Sequence, residues 1–247
     1  MQHFWHERLS RDKSLIATGH RAFNLAYNEQ LYEMQQETLD ILLQTYDVDL
    51  ADKRVLDVGS GLGFFVNYFL AKRVKHVTGL DIAPAGVEYL QATYPQSKFY
   101  CVDVGDVPAL PVREQFDIVS AISVLYHIIE EAAFQQAMKN MCQAIAPGGY
   151  LIVSDKFSPF LQLTAGHVQF RTLAAYRTLF AQFDLHIVDV LPMYYFMNRT
   201  FVPYLMPPIL GLGPVTRLLV NIDRHLRRGR VQFGAGLKIL LARRGRP

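Results

Sequence analysis

The sequence predicts an α/β protein built on a mostly parallel β-sheet that helices cover on both faces. From residue 54 onward, short segments that are apolar throughout alternate with segments of helical periodicity. Strands of this kind are typical of sheets buried on both sides. The first apolar segment leads into a glycine-rich turn, VLDVGSGLG at 55–63, as a strand does when it ends at a ligand crevice. At 247 residues, the chain can form one large domain, or one domain with an insertion.

The elements follow one another in a regular order. An amphipathic helix over 30–46 precedes the sheet, because Leu31, Met34, Leu39, Leu42 and Leu43 recur at helical spacing. Pro84 can begin the helix after the second strand, and Pro147-Gly148-Gly149 ends the helix before the fifth. The predicted strands lie at 54–58, 76–81, 98–103, 116–122, 150–155, 185–191 and 237–243, and further helices at 64–73, 131–145 and 167–183.

One segment, 192–214, follows neither period. It is apolar and aromatic, and its five prolines prevent a long helix. It is either irregular core or a lid over the ligand crevice, in which case Tyr194 and Tyr195 would contact the substrate. A short amphipathic helix with a basic face is expected over 215–228. We therefore predict an N-terminal helical cap (1–50), a core formed by 51–191 and 232–247, and an insertion (192–231) that is part of the same domain.

Composition indicates a globular protein, with 51% hydrophobic and 19% charged residues. Cys101 and Cys142 are too few for a disulfide framework and are expected to be small core residues in a reducing compartment. The N-terminus has no apolar signal-peptide region, and no apolar stretch reaches the ~18 residues of a membrane span. These features predict a cytoplasmic protein.

Charge is unevenly distributed along the chain. Residues 217–247 contain nine Lys or Arg residues and one acid, Asp223, whereas the net charge of the whole chain is +3. A basic segment can contact an anionic substrate, a lipid surface or nucleic acid, although a solvated tail is the commoner explanation. Peripheral membrane contact through 192–230, which mixes apolar and basic residues, stays open.

The glycine turn discriminates between ligands. A dinucleotide-binding turn reads G-x-G-x-x-G, with a small last residue, whereas here Phe64 follows a G-x-G-x-G pattern. Asp57 would repel a diphosphate and attract an ammonium group. The lysine of a phosphate-binding P-loop is also missing. The turn therefore favours an amino acid attached to a nucleoside.

The next strand ends supply groups for a nucleoside. Asp81 lies at the distance at which an acid binds ribose hydroxyls, and Ile82 offers an apolar wall for a base. Asp103 can accept a hydrogen bond from an exocyclic amine, beside the backbone N–H of Val104. One such Asp is more often a helix cap or turn residue, but three at successive strand ends converge on one crevice.

These stretches resemble the class I S-adenosylmethionine-dependent methyltransferases that act on small molecules. The similarity extends from Arg54 to Asp155 and rests on VLDVGSGLG, GLDIAP, CVDVGDVPALP, FDIVSAISVLYHI and IAPGGYLIVSD, in family order. It implies a Rossmann-like three-layer sandwich with a seven-stranded sheet, whose antiparallel last strand is LKILLAR. It also implies that S-adenosylmethionine is bound by the turn and strand-end residues Asp57, Gly59, Ser60, Gly61, Gly63, Asp81, Ile82, Asp103, Val104 and Ala121.

The groups that would act on the acceptor are less constrained. His127, just after the fourth strand, is the best candidate base, with Tyr126 beside it, although a packing role is an open alternative. By analogy with related enzymes, 18–32 folds over the cofactor, so that Tyr27 reaches its carboxylate and His20 or Arg21 meets an acidic acceptor. An ordinary surface helix is the alternative. No metal is expected, because no H-E-x-x-H motif or paired acid-Asn motif occurs.

The resulting hypothesis is a methyltransferase that modifies a small hydrophobic or aromatic metabolite, or a peptide, on a hydroxyl or carboxylate oxygen by in-line displacement. N-methylation and a non-catalytic cofactor-binding subunit are the alternatives. A nicotinamide oxidoreductase is disfavoured by Phe64 and Asp57. A nucleic-acid methyltransferase is disfavoured because S-A-I-S at 120–123 replaces the Asn/Asp-Pro-Pro-Tyr/Phe motif that base-amine methylation usually uses.

Overall fold

The computed structural model describes residues 1–158, 162–164, 166–197, 212–231 and 236–245. Its main feature is a seven-stranded sheet in the order β3-β2-β1-β4-β5-β9-β8. The strands are β1 (Arg54–Val58), β2 (His76–Asp81), β3 (Lys98–Cys101), β4 (Phe116–Ala121), β5 (Ile145–Asp155), β8 (Leu185–Pro192) and β9 (Lys238–Arg244). The first five are parallel to one another, and β9 is antiparallel to both β5 and β8. The predicted fold class is confirmed, including LKILLAR as the antiparallel strand inserted before the sheet edge.

Helices cover both faces of this sheet. They are α1 (Gln2–Arg11), α2 (Leu15–Thr18), α3 (Leu25–Thr45), α4 (Phe64–Ala71), α5 (Pro84–Thr93), α6 (Glu131–Ala144), α7 (Leu173–Ala181) and α8 (Leu212–Arg228). Val55 and Leu56 are neighbours in β1 but pack in different apolar clusters, as alternating strand residues must. One cluster contains side chains of α3, α4, α5 and α8, and the other those of α6 and α7. The result is the predicted three-layer sandwich.

The N-terminal helices pack against the open end of the sheet. Asn24 caps α3, since its side chain accepts the backbone N–H of Tyr27 at 3.0 Å. Arg8 on α1 donates to the carbonyl oxygens of Ile16 and Gly19, at 3.1 and 2.8 Å, and so ties α1 to α2. The division into a cap (1–50), a core and an insertion stays a prediction, and residues 198–211 and 232–235 lie outside the described parts.

The predicted helix over 167–183 is wrong in its first turn. Val168–Phe170 forms a strand, β7, which pairs antiparallel with β6 (Gln162–Thr164), and α7 begins only at Leu173. Thr172 sets this start, because its hydroxyl accepts the backbone N–H of Ala175 at 3.1 Å. Apolar spacing alone does not reveal such pairing between separate segments. Helix α8 begins slightly earlier than the 215–228 predicted for it.

None of the helices in the described ranges is long and apolar enough to span a bilayer.

Cys142 is buried, as expected of a core residue, whereas Cys101 is exposed at the end of β3. Exposure of Cys101 corrects the expectation that both thiols are in the core. The exposure of Cys101 follows from the position of β3 at the end of the sheet, where the strand has a neighbouring strand along one edge only.

Candidate active site

A cavity of about 580 Å³ lies at the carboxyl ends of β1, β2 and β4, beneath α1 and α2. Its volume is within the range of small-molecule binding sites. Nine predicted residues line it: Asp57, Gly59, Ser60, Gly61, Asp81, Ile82, Asp103, Val104 and His127. The parallel strands explain this convergence, because their carboxyl ends meet at one edge of the sheet.

The glycine turn forms the floor of the cavity. Gly59 and Gly61 have φ values of +73° and +54°, a conformation that side chains disfavour. A Cβ at Gly59 would come within 2.3 Å of the Val124 side chain. There is no room for a side chain at Gly59. The turn therefore presents backbone atoms, and no side chain of these glycines, to a ligand. Gly63, in contrast, begins α4 and packs against Leu90 and Tyr94, outside the cavity wall.

Asp81 is the link between the second strand and this turn. Its Oδ2 accepts the backbone N–H of Gly61 at 2.7 Å, and its Oδ1 accepts that of Ala83 at 2.8 Å. Burial nevertheless raises the pKa of this carboxyl group above its usual value. Each oxygen retains a lone pair, so the carboxylate can hold the turn and still accept hydrogen bonds from a ligand.

Asp57 is buried at the end of β1. Its Oδ1 accepts a hydrogen bond from the Ser120 hydroxyl at 2.6 Å. Burial raises its pKa to about 7, and the nearby charge of Asp81 acts in the same direction. No Lys or Arg among the described residues lines the wall. A cationic group of a ligand would stabilise the ionised form of Asp57, because opposite charges attract.

The segment after β3 forms another part of the wall. Asp103 accepts the backbone N–H of Gly105 at 3.0 Å, which shapes the turn that carries Val104. Asn140 on α6 is buried and donates to the carbonyl oxygens of Val104 and Val107, both at 2.9 Å. Sequence analysis missed Asn140, since a polar residue on an amphipathic helix gives no sign of burial.

His127 ends a short 3₁₀ helix (Leu125–His127) and lines the cavity next to α1. Its ring contacts that of Trp5 edge-on, with centroids 5.2 Å apart, and its Nδ1 lies 3.3 Å from the His167 carbonyl oxygen. A hydrogen bond to a carbonyl requires the proton on Nδ1, which leaves the Nε2 lone pair available. Burial lowers the pKa of His127 to about 4, so the ring is neutral at pH 7.

Trp5, the one tryptophan of the chain, was also missed by sequence analysis. It lies on α1, whose His6 Nδ1 accepts the Ala85 backbone N–H at 3.3 Å and so places the helix beside α5. Leu9 packs there as well. The cavity-lining residues of the N-terminal helices are Met1, Trp5, Leu9, Leu15, Thr18 and Tyr32. A short polar helix with two large aromatics, Phe4 and Trp5, is a weak sequence signal, and its docking depends on contacts with distant segments.

Arg171 supports the part of the cavity wall formed by the segment 128–130, although it does not line the cavity itself. This buried guanidinium donates to the Ile128 carbonyl oxygen at 2.9 Å and to Glu131 at 3.0 Å, and lies 3.6 Å from the centre of the Phe134 ring. It thereby fixes the segment in which Ile128, Ile129 and Glu130 line the wall. Its function was not apparent from sequence, where a lone arginine is most simply a surface residue.

Other predicted residues lie behind the wall. Ala121 is fully buried at the end of β4, and Tyr126 packs against Phe170 with ring centroids 5.2 Å apart. Burial raises the pKa of Tyr126 above its usual value. Tyr27 is buried against Phe23, and its hydroxyl has no hydrogen-bond partner in the described parts of the chain. None of these three side chains lines the cavity.

The four residues predicted to bind substrate are also outside the cavity wall. The Tyr194 hydroxyl donates to the Leu31 carbonyl oxygen at 2.9 Å, and that of Tyr195 donates to the Leu226 carbonyl at 3.2 Å. Both tyrosines therefore anchor the segment after β8 to α3 and α8. His20 packs against the Phe23 ring, and Arg21 is exposed, and their binding of an acceptor stays a prediction.

Among the side chains of the described wall, the formal charges are all negative. Asp57, Asp81, Asp103 and Glu130 line it, and no Lys or Arg does. The rest of the wall is largely apolar. Over the same described ranges, no group of three or more His, Cys, Asp or Glu side chains could hold a metal ion. The arrangement suits a ligand with hydroxyl and ammonium donors and an apolar remainder.

Comparisons with known proteins point to one family. Residues 56–153 match the family described as a methyltransferase domain. The curated relatives include a tRNA U34 carboxymethyltransferase from Pseudoalteromonas atlantica, 34% identical over 114 residues, which are 45% of this chain and 34% of that protein. A ubiquinone biosynthesis O-methyltransferase from Aeromonas salmonicida is 31% identical over 108 residues, 42% of this chain and 44% of that protein. The chain thus spans between a third and a half of these relatives.

The fold has close counterparts among solved structures. N-methyltransferase NodS from Bradyrhizobium japonicum, in complex with S-adenosyl-l-homocysteine, superposes with a TM-score of 0.59 at 15% identity, over 98% of each chain. At this identity, the likeness establishes the fold alone. The family match over 56–153 agrees with the resemblance drawn from VLDVGSGLG and the stretches that follow it, and the superposition agrees with the fold which that resemblance implies.

Proposed function

We propose that this protein is an S-adenosylmethionine-dependent methyltransferase that methylates a small, neutral, largely apolar acceptor on a hydroxyl oxygen. The proposal starts from the match of residues 56–153 to a methyltransferase domain. The observation that carries the proposal is a single cavity in which acidic strand ends and bare glycine backbone meet an apolar wall containing His127. The acidic strand ends and the glycine backbone suit the methyl donor, and the apolar wall with His127 suits the acceptor.

The acidic part of the cavity fits the donor. Asp81 would accept the ribose hydroxyls, and Ile82 and Val104 would enclose the adenine beside Asp103. Gly59 and Gly61 offer backbone to the methionine part, and Asp57 offers a negative charge to its ammonium. When bound, S-adenosylmethionine supplies a methyl group already activated on a sulfonium. The protein therefore mainly has to orient the acceptor behind that methyl group and exclude water.

The apolar part of the wall defines the acceptor class. Trp5, Leu9, Leu15, Phe64 and Phe65 contribute to it. An acidic acceptor would meet four acidic side chains in the described wall and no Lys or Arg side chain. The Arg8 guanidinium, 5.1 Å from the centre of the Trp5 ring, does not line the wall and donates to the carbonyl oxygens of Ile16 and Gly19. A neutral acceptor is therefore favoured over a carboxylate. An aromatic or aliphatic alcohol or phenol satisfies both conditions.

His127 is the proposed base. Its Nδ1 is occupied by the His167 carbonyl, so Nε2 can take the proton of an acceptor hydroxyl as the methyl group is transferred. Its lowered pKa keeps it unprotonated at pH 7, as a base must be. A low pKa also weakens a base, which suits a phenol better than an aliphatic alcohol because a phenol gives up its proton more readily.

N-methylation is the second candidate. The four acidic side chains of the wall, Asp57, Asp81, Asp103 and Glu130, attract amines. A non-catalytic cofactor-binding subunit is a third, less favoured candidate, because the chain retains both a donor site and an apolar acceptor space.

A screen with radiolabelled S-adenosylmethionine tests the proposal. Matched acceptors that differ only in a hydroxyl, amine or carboxylate on the same aromatic body should give methyl transfer to the hydroxyl compounds. Preference for the amine series would assign N-methylation, and preference for the carboxylates would refute the electrostatic argument. Calorimetric titration with S-adenosyl-homocysteine and with NADH tests the donor site, where binding of NADH alone would overturn the assignment.

A further inference from the structure

Helix α8 is held firmly to the protein along one face. Asp223, fully buried, accepts the backbone N–H groups of Tyr195, Phe196 and Met197 at 2.9 to 3.0 Å. Arg224 and Arg227 both form ion pairs with Glu37 on α3. Val215, Leu219 and Val220 pack into the core on the same face. The helix therefore has a fixed orientation. The face opposite these contacts is exposed to solvent.

That opposite face exposes large apolar side chains. Leu218 is 47% exposed and Ile222 is 37% exposed. The two residues are four positions apart, so they lie next to each other on the same side of the helix and form one stripe. Leu226 continues the stripe and is partly buried, and Val231, just past the helix, is 37% exposed. Single exposed apolar residues are ordinary, but an aligned series on a rigid helix is characteristic of a contact surface.

Cationic side chains accompany this stripe. Arg217, Arg228 and Arg230 are exposed, and Arg230 pairs with Asp189. Arg217 and Arg228 form no ion pair with any residue in the described ranges. The one acid of the helix, Asp223, points into the protein, so the outer face is positively charged. We call Arg217, Leu218, Ile222 and Arg228 the α8 outer face.

We propose that the α8 outer face docks on the surface of a lipid bilayer that contains anionic lipids. Apolar side chains next to arginines complement the boundary between acyl chains and anionic headgroups, where leucine and isoleucine are buried and guanidinium groups remain at the phosphates. Nucleic acid would use the arginines but would leave the apolar stripe in water. The helix lies on the membrane in this arrangement and does not cross it.

Vesicle co-sedimentation of the full chain, without methyl donor or acceptor, tests this docking. The protein should bind vesicles of phosphatidylcholine mixed with phosphatidylglycerol, bind phosphatidylcholine alone at least about tenfold more weakly, and be released when the ionic strength rises from about 0.1 M to about 1 M. The double variants Leu218→Ser/Ile222→Ser and Arg217→Ser/Arg228→Ser should each lower the partition coefficient by about tenfold or more.

One matched control variant separates this face from general surface properties. Leu25, 42% exposed at the start of α3, and Arg177, exposed on α7, lie on other elements, and Leu25→Ser/Arg177→Ser should bind vesicles as the parent does. Circular dichroism and light scattering should find every variant folded and in the same oligomeric state as the parent.

Three results would overturn the inference. The first is no binding to anionic vesicles, and the second is binding that the α8 variants leave unchanged. The third is a parent dimer that Leu218→Ser/Ile222→Ser converts to a monomer without any vesicle binding, since the face would then join two copies of the chain. None of these results bears on methyl transfer, which is measured separately.

Discussion

The carboxylate of Asp81 accepts the backbone N–H of Gly61 at 2.7 Å, which joins the end of β2 to the glycine turn after β1. The same carboxylate holds Ala83 at the start of α5. One side chain thus shapes the turn and faces the ligand cavity. Its effects on stability and on ligand binding should therefore be coupled.

Replacing Asp81 with alanine should destabilise the protein even without ligand. Loss of two charge-assisted hydrogen bonds to backbone is expected to lower the free energy of unfolding by about 1–3 kcal/mol. The affinity for S-adenosyl-homocysteine should fall about 10- to 100-fold, and Asp81→Asn, which retains one acceptor oxygen, should be intermediate. Denaturation and calorimetry measure both effects. An unchanged unfolding free energy with lost affinity would mean that the carboxylate serves only the ligand.

Binding of S-adenosyl-homocysteine should release a proton from Asp57 near pH 6. In the free protein, the raised pKa of about 7 keeps most Asp57 protonated at that pH. An ammonium group nearby favours the ionised form and lowers this pKa, so the proton leaves when the ligand binds. Calorimetry in buffers of different ionisation enthalpy measures the release. It should vanish above about pH 8, where Asp57 is already ionised.

Asp57→Asn is the control for this proton release, because the amide has the same shape and does not titrate. Proton release that persists in Asp57→Asn would assign the titration to Asp81, whose pKa burial also raises. His127 does not interfere, because its pKa of about 4 leaves it neutral throughout this pH range.

Replacing His127 with alanine should slow methyl transfer to a hydroxyl acceptor by about 100-fold. The affinity for S-adenosyl-homocysteine should change little, since the donor is held by the strand ends. The parent rate should decline only as pH falls toward about 4, because protonation of His127 then removes the base. Single-turnover measurements check both points. A near-normal rate in His127→Ala would show that the ring only packs against Trp5.

Trp5 should report ligand binding through its fluorescence. It is the one tryptophan of the chain and lines the cavity, 5.2 Å from the His127 ring. Saturation with S-adenosyl-homocysteine is expected to shift or quench its emission, with a midpoint that matches calorimetry, and Trp5→Phe should abolish the signal. Calorimetric binding without any change in emission would place α1 away from the bound ligand.

Gly59→Ala should be far more harmful than Gly213→Ala. The Cβ at Gly59 would meet Val124 at 2.3 Å, and the positive φ adds strain, so a loss of about 1–3 kcal/mol in unfolding free energy is expected, together with loss of ligand binding. Gly213 on α8 has open space around its Cβ position. Gly213→Ala should leave both properties unchanged or add roughly 0.5–1 kcal/mol of stability. Similar thermal stabilities for the two variants would contradict this account of the turn.

Local sequence patterns predicted the strands and most helices, because buried strands and amphipathic helices have distinctive apolar spacing. They also predicted Asp57, Gly59, Asp81 and Asp103 as one group, since parallel strands end at the same edge. The antiparallel direction of the last strand was implied only by resemblance to a family. The hairpin containing Val168–Phe170 was missed because pairing between segments leaves little trace in apolar spacing.

Features that depend on tertiary contacts were not predictable from local sequence. Trp5 reaches the cavity only because α1 docks beside α5, and Arg171 is buried only because Glu131 and two carbonyl groups surround it. The unusual pKa of His127 likewise depends on burial by separate segments. Predictions for Tyr194 and Tyr195 assumed a lid, but their hydroxyls are bonded to backbone of α3 and of the α8 region.

The position of β9 constrains how the chain can fold during synthesis. Strands β1 to β5 pair with one another, so this part of the sheet can form as the ribosome extends the chain. Within the described sheet, β8 has β9 as its one neighbour, and must therefore wait until Lys238–Arg244 has left the ribosomal tunnel. Until then both β5 and β8 present unpaired edges to other nascent chains. A truncation that removes β9 should consequently leave an aggregation-prone intermediate that chaperones retain. This holds although every cavity residue lies upstream of β9 and has already been synthesised.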